Sequence, residues 1–136
     1  LYTINYNKLS WVTYTDPEIA TFGLNEEQLK EKGKNYEKLE INFEDEDRAI
    51  IEETNGKLII YINKNKILGG TMIAKNAGEL TQELILANSA EIKINELFKK
   101  IYPYPTATRI NKKLISQHFS KKLTELNKKL LHTLYH

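Results

Sequence analysis

Few side chains in this sequence have the types and spacing that chemistry requires, and they gather in Ile101-Tyr102-Pro103-Tyr104-Pro105-Thr106-Ala107-Thr108-Arg109. Two prolines alternate with tyrosines there. Each proline fixes its own φ and pushes the residue before it towards extended geometry, so the stretch is stiff and cannot be helical. A stiff aromatic loop is a good tool for presenting groups to something else. From local chemistry alone the same stretch also fits a proline-rich connector between helices. The remaining inventory is short. The three histidines, His118, His132 and His136, all fall in the terminal helical pattern, where zinc-ligand spacing is lacking. His118 stands beside Phe119 and reads as a structural or surface histidine in preference to a base. The chain contains no cysteine, which excludes a disulfide framework, a thiolate metal site and a redox dithiol within it. Leu68-Gly69-Gly70-Thr71 lies inside a strand pattern, where glycine marks a bulge or close packing and not a phosphate loop. No nucleophile elbow is present. By itself the chain does not look like an enzyme.

The elements that must position the loop fit one domain, since 136 residues allow a real core but no second one. With 28% charged and 40% hydrophobic residues, the balance is that of an ordinary globular protein. No apolar run approaches the roughly 20 residues of a bilayer span, and no basic start precedes an apolar block, so the expectation is a cytoplasmic protein with no membrane partner. The net charge of +2 conceals an asymmetry: from Arg109 onward seven Lys/Arg face the single acid Glu125. A basic tail can bind nucleic acid. Here the lysines come in pairs flanking leucines, as on the wet side of an amphipathic helix, so no nucleic-acid partner is expected.

Along the chain, Leu1 to Ser10 reads as a lead-in from something preceding. Trp11 to Thr15 is aromatic and β-branched, as a short strand requires, and Asp16-Pro17-Glu18 ends it in a turn. A helix follows: Asn25 caps it, Gln28 completes a capping box, Leu24 and Leu29 form a hydrophobic staple, and Gly33 stops it. Tyr36 to Phe43 is a strand with Leu39, Ile41 and Phe43 on one face. An acidic turn, Glu44 to Asp47, leads to a strand through Arg48-Ala49-Ile50-Ile51. Lys57 to Ile62 and Lys66 to Ala74 make a hairpin about Asn63-Lys64-Asn65, its first strand apolar enough to be central. Asn76 caps a helix with Glu79 in the reciprocal position, and Ala77, Leu80, Leu84 and Ala87 form its apolar stripe. A short helix or turn over Ile94 to Ile101 leads into the proline loop. Beyond it Ile110, Leu114, Phe119, Leu123, Leu126, Leu130 and Leu134 continue a helical stripe close to heptad spacing. The sum is an α+β domain, an antiparallel sheet of about four or five strands with helices packed on it.

In order and in residues, several of these segments resemble the C-terminal dimerisation domain of the pyridine nucleotide-disulfide oxidoreductases, the flavoenzymes that include glutathione reductase, dihydrolipoamide dehydrogenase and mercuric reductase. They are Thr13-Tyr14-Thr15-Asp16-Pro17-Glu18-Ile19-Ala20-Thr21-Phe22-Gly23-Leu24, Gly56-Lys57-Leu58-Ile59, Ile67-Leu68-Gly69-Gly70-Thr71-Met72-Ile73 with Asn76-Ala77-Gly78-Glu79-Leu80, and Tyr104-Pro105-Thr106. The resemblance runs from about Trp11 to Leu126. It implies a dimerisation domain over residues 11–136, including the basic C-terminal helix, with residues 1–10 as lead-in. It also implies a homodimer in which the Tyr104-Pro105-Thr106 loop reaches the partner's active site, Pro105 and Thr106 approaching the partner's flavin at a two-fold interface made partly by the C-terminal helix. FAD and NAD(P)H would belong to upstream domains of the same chain, so this fragment is expected to hold no cofactor and to be inactive alone.

The family's catalytic pair is a histidine oriented by a glutamate five residues on. Those positions here are Tyr104 and Arg109. A phenol is a poor base at neutral pH and a guanidinium cannot accept a proton, so the family's proton relay does not carry over. Tyrosine at this place resembles the mercuric reductase branch, whose paired C-terminal cysteines this sequence lacks. By that resemblance Tyr104 donates a hydrogen bond and Arg109 favours an anion such as a thiolate. The substrate stays open. The Tyr104-Pro105 bond is expected to be cis, as in the family. The alternative from another class is a free-standing dimeric interaction module with this fold and no catalysis.

Overall fold

The computed structural model describes residues 3–43 and 55–135. Five strands form one antiparallel sheet: β1 (Ser10–Thr13), β2 (Glu18–Gly23), β3 (Glu37–Asn42), β4 (Lys57–Asn63) and β5 (Lys66–Ala74), in the order β1-β2-β5-β4-β3. The helices are α1 (Glu26–Glu31), α2 (Ala77–Leu80), α3 (Gln82–Ser89), α4 (Ile94–Lys99) and α5 (Arg109–Tyr135). This is the α+β architecture the sequence predicts. The expected acidic turn at Glu44 to Asp47 and the strand at Arg48 to Ile51 lie outside the described residues.

Local signals explain most of the elements. At α1 the Gln28 amide donates to Asn25 Oδ1 at 2.8 Å and the Asn25 amide to Gln28 Oε1 at 3.0 Å, so the capping box is closed in both directions. Leu24 and Leu29 share a small apolar cluster with Tyr61, as a staple requires. Gly33, at φ +60°, ends the helix: its amide donates to Lys30 O and that of Lys34 to Leu29 O, the paired bonds of a Schellman stop. The β4–β5 hairpin turns through Lys64 (φ 48°) and Asn65 (φ 63°), two successive left-handed residues that match strand twist.

Two expectations need correction. The chain does turn at Asp16-Pro17, through a cis bond, but it then forms β2, which pairs β1 on one side and β5 on the other. The six residues of β2 are short and include alanine and glycine, so their strand character is supplied by the two neighbours. Asn76 does not cap by its side chain; it sits in the left-handed region at φ 58°, which asparagine tolerates. Its carbonyl accepts from the Glu79 and Leu80 amides instead. The helix expected there is divided in two at Thr81, whose hydroxyl donates to Ala77 O at 2.9 Å.

The helices α2, α3 and the start of α5 cover one sheet face. Phe22, Leu58, Ile60 and Met72 from the sheet, and Leu84, Ile94, Ile110 and Ile115 from the helices, are fully buried together. Each such side chain contributes roughly 1.5–3 kcal/mol by leaving water. The sheet also permits two close backbone approaches. A Cβ on Gly70 would lie 2.6 Å from Ile59 O and 2.7 Å from Phe22 Cζ, and one on Gly69 would strike the Leu24 backbone where the chain leaves β2. Neither glycine borders open space.

Gly69→Ala is therefore expected to lower stability by about 2–4 kcal/mol, because the obstacle is backbone and cannot rotate away. Denaturant unfolding at fixed protein concentration checks this; a loss below about 0.5 kcal/mol would show that β2 and β5 can spread.

Candidate functional site

The proline loop is held from beneath by one carboxylate. Glu83, on α3, accepts a hydrogen bond from Tyr102 Oη at 2.7 Å and another from Asn111 Nδ2 at 2.8 Å, both at Oε1. Lys100 pairs with its other oxygen. Tyr102 precedes the loop and Asn111 follows it, so a single side chain fixes both ends. Asn111 Nδ2 also donates to Leu80 O at 3.0 Å, and Lys112 Nζ to Lys100 O at 2.9 Å. The Lys100 ammonium lies 4.1 Å from the Tyr102 ring centroid. Burial, and then the bond to Glu83, push the Tyr102 phenol well above the ordinary tyrosine range.

Above this anchor the two tyrosines part company. Tyr102 is buried, whereas Tyr104 is 66% exposed. The Tyr104-Pro105 bond is cis, as the resemblance implies. Thr106 Oγ1 donates to Pro103 O at 2.8 Å, closing the turn, and Thr106 O accepts from the Arg109 amide at 3.2 Å, opening α5. The guanidinium of Arg109 lies over the Tyr104 ring, 5.0 Å from its centroid, a cation–π arrangement. The two sequence-predicted residues thus meet, through the ring face and not through the hydroxyl. The exposed Tyr104 phenol is available as a donor, with a fixed positive charge over its ring. Pro105 is exposed and Thr106 half-buried in the same turn.

His118 stands apart. It is buried, its Nδ1 3.0 Å from Glu37 Oε1, and it ties α5 to β3. Glu83 and Asn111, which hold the loop, are the functional residues that sequence reasoning misses. The one available signal is an asparagine directly after the apolar Ile110. Glu83 carries none, because an acid beside Leu84 looks like any solvated helix position.

The residues described form no cradle for a flavin or nicotinamide. Gly23, Gly69 and Gly70 pack against backbone inside the sheet and leave no space for a phosphate, and no glycine-rich turn opens a helix. What the chain offers is an exposed edge at Tyr104 and Pro105.

The family model of the pyridine nucleotide-disulphide oxidoreductase dimerisation domain matches residues 9–114. The chain belongs to this family. As a dimerisation domain it is 33% identical over 121 residues to dihydrolipoyl dehydrogenase 1 of Arabidopsis thaliana, covering 87% of this chain and 24% of that protein. To the mercuric reductase of Staphylococcus aureus it is 33% identical over 119 residues, covering 85% and 22%. Among solved structures, the HOCl-induced flavoprotein disulfide reductase RclA from Escherichia coli superposes with a TM-score of 0.73 at 18% identity, over 81% of this chain and 26% of that one. The dimerisation domain thus spans about a quarter of the length of the relatives it matches.

Tyr102→Phe is expected to cost about 1–3 kcal/mol by leaving Glu83 short of a donor. The pH sign follows from the raised phenol. Below about pH 10 the stabilisation is complete; above it the unfolded chain releases a proton that Tyr102 retains, so stability falls as pH rises. Tyr102→Phe should therefore start from a lower stability near neutral pH and lose less of it per pH unit above about pH 10, and an unchanged slope there would show that the folded chain does not hold the Tyr102 phenol protonated.

Proposed function

We propose that this chain is the interface portion of an FAD-dependent, NAD(P)H-using oxidoreductase that works as a homodimer, and that Tyr104-Pro105-Thr106 is what it presents to the partner's active site. The observation that carries this reading is an exposed Tyr104, backed by Arg109, on a loop both of whose ends are fixed by Glu83. Family membership and the quarter-length match to its relatives support it. Residues 11–136 are the dimerisation domain. Residues 1–10 are the lead-in from a preceding one, fastened to the body by Lys8, which bonds Ser89 O and Glu91. The flavin and nicotinamide, bound by other parts of the polypeptide, supply the electron transfer.

The roles on this chain are electrostatic. Tyr104 Oη donates a hydrogen bond to a substrate atom, and Arg109 sets a permanent positive charge next to it, which favours an anion such as a thiolate. Pro105 and Thr106 form the turn that approaches the partner's flavin, with the Thr106 hydroxyl committed to Pro103 O. Neither site residue takes up a proton, so the site is suited to holding a charge in place and not to relaying protons.

The test uses the full-length protein encoded by the surrounding reading frame. Tyr104→Phe and Arg109→Gln are each expected to lower kcat/KM by about 10–100-fold, the scale of one charge-assisted bond, while the dimer persists in sedimentation. An unchanged kcat/KM in both would reject the presented-loop role. A reading frame with no upstream Gly-x-Gly-x-x-Gly would leave a free-standing dimeric interaction module instead.

A further inference from the structure

Past Lys122, which lines a cleft with Glu37, Ile62 and Asn63 at the edge of the sheet, α5 leaves the body of the domain. Ile110, Leu114 and Ile115 anchor the helix in the core, but every residue from Ser120 to Leu134 is exposed, Leu123, Leu126, Leu130, Leu131 and Leu134 by 53–75%. At about 100° per residue these leucines fall on one side of the helix. Phe119 continues that side towards the body, into a groove of about 600 Å³ between α4 and α5 lined by Phe98, Phe119, Leu123 and Leu126. Lys121, Lys122, Lys128 and Lys129 occupy the opposite side and its flanks, with Glu125 as the one acid of the segment. A helix of about 15 residues with no tertiary packing is marginal in water, so its apolar side needs a surface to rest on. The family model itself ends at residue 114, ahead of this segment.

We infer that residues 120–134 lie along an anionic lipid surface, the leucines at the acyl boundary and the lysines among the headgroups. Charge and shape both favour this occupant over a second copy. The leucine side spans roughly 140°, wider than the seam two paired helices share. Pairing with a parallel copy would set Lys122 against Asn127 and Lys129 against Leu134, and an antiparallel pair would bring lysine to lysine, so self-association gains no charge complementarity. Anionic headgroups complement all four lysines at once. Among the described residues no helix is long and apolar enough to cross a membrane. Lying on a surface requires no such helix, so this inference departs from the sequence-based expectations of no membrane partner and of a two-fold interface made partly by the C-terminal helix.

The experiment is flotation of the full chain with vesicles of phosphatidylcholine alone or mixed with phosphatidylglycerol, at low and high salt. Binding is expected to the mixed vesicles, about tenfold or more weaker to the neutral ones, and weakened by salt. Two variants separate the contributions. Replacing Leu126 and Leu130 by Asp should abolish binding, and replacing Lys121, Lys122, Lys128 and Lys129 by Gln should lower it roughly a hundredfold. These positions are exposed beyond the packed part of α5, so an unchanged thermal midpoint checks that the body is intact. Equal binding to neutral vesicles, or retention of binding after the leucine substitutions, overturns the proposal. So does a lack of vesicle binding, whether alone or with a concentration-dependent oligomer that Leu126→Asp dissolves; the oligomer would assign the face to a second copy.

Discussion

The candidate site depends on one shared carboxylate. Glu83 receives hydrogen bonds from a phenol before the proline loop and from an amide after it, and an ammonium pairs with it as well. A half-buried acid is best tolerated when donors surround it, and here they come from both sides of the loop, Lys100 and Tyr102 before it and Asn111 after it. Removing Tyr102 or Asn111 leaves the half-buried carboxylate short of a donor. The constraint therefore works in both directions: the loop is fixed because Glu83 needs its donors, and Glu83 can sit at the base of the loop because those donors arrive with it. The two prolines supply the remaining stiffness.

That anchoring requires α3 and α5 to stand at a set height above the sheet, which the sheet's own packing provides. Gly69 and Gly70 let β5 run close to Leu24 and Phe22, and Leu58, Ile60 and Met72 share one buried cluster with Leu84 and Ile115. His118 adds a second tie between α5 and β3 through Glu37. Further along, α5 leaves the body altogether. Its first part is a structural column and its last part a surface, with Phe119 at the change between them.

On the proposed reading the loop is kept, and the groups at its tip are a phenol and a guanidinium in place of a proton-relaying pair. A proton-relaying pair needs two members that can hold the same proton. Tyr104 and Arg109 instead meet face to ring, an arrangement that stabilises charge and moves no proton. The scaffold is indifferent to that exchange. None of the contacts that hold the loop, at Glu83, Asn111, Tyr102 and Thr106, involves the side chains at its tip.

The sequence by itself determined the class of fold, the capped α1, the β4–β5 hairpin, the core face of β3 and the stiff loop with Tyr104 and Arg109 on it. These are local: periodicity, caps, turn residues and prolines act over a few positions. It also carried the family's motifs, which gave the dimerisation domain. Tertiary structure alone decided the rest. Six residues at Glu18–Gly23 become a strand because β1 and β5 offer hydrogen bonds on both sides. Asn76 turns left-handed because β5 must reverse directly into α2. Glu83 becomes the anchor because folding brings residues 19 and 28 positions away in sequence onto its oxygens, an encounter that no local pattern encodes. Likewise the division of one continuous leucine stripe into a buried and an exposed half follows from where the sheet ends, a length that the spacing of leucines does not record.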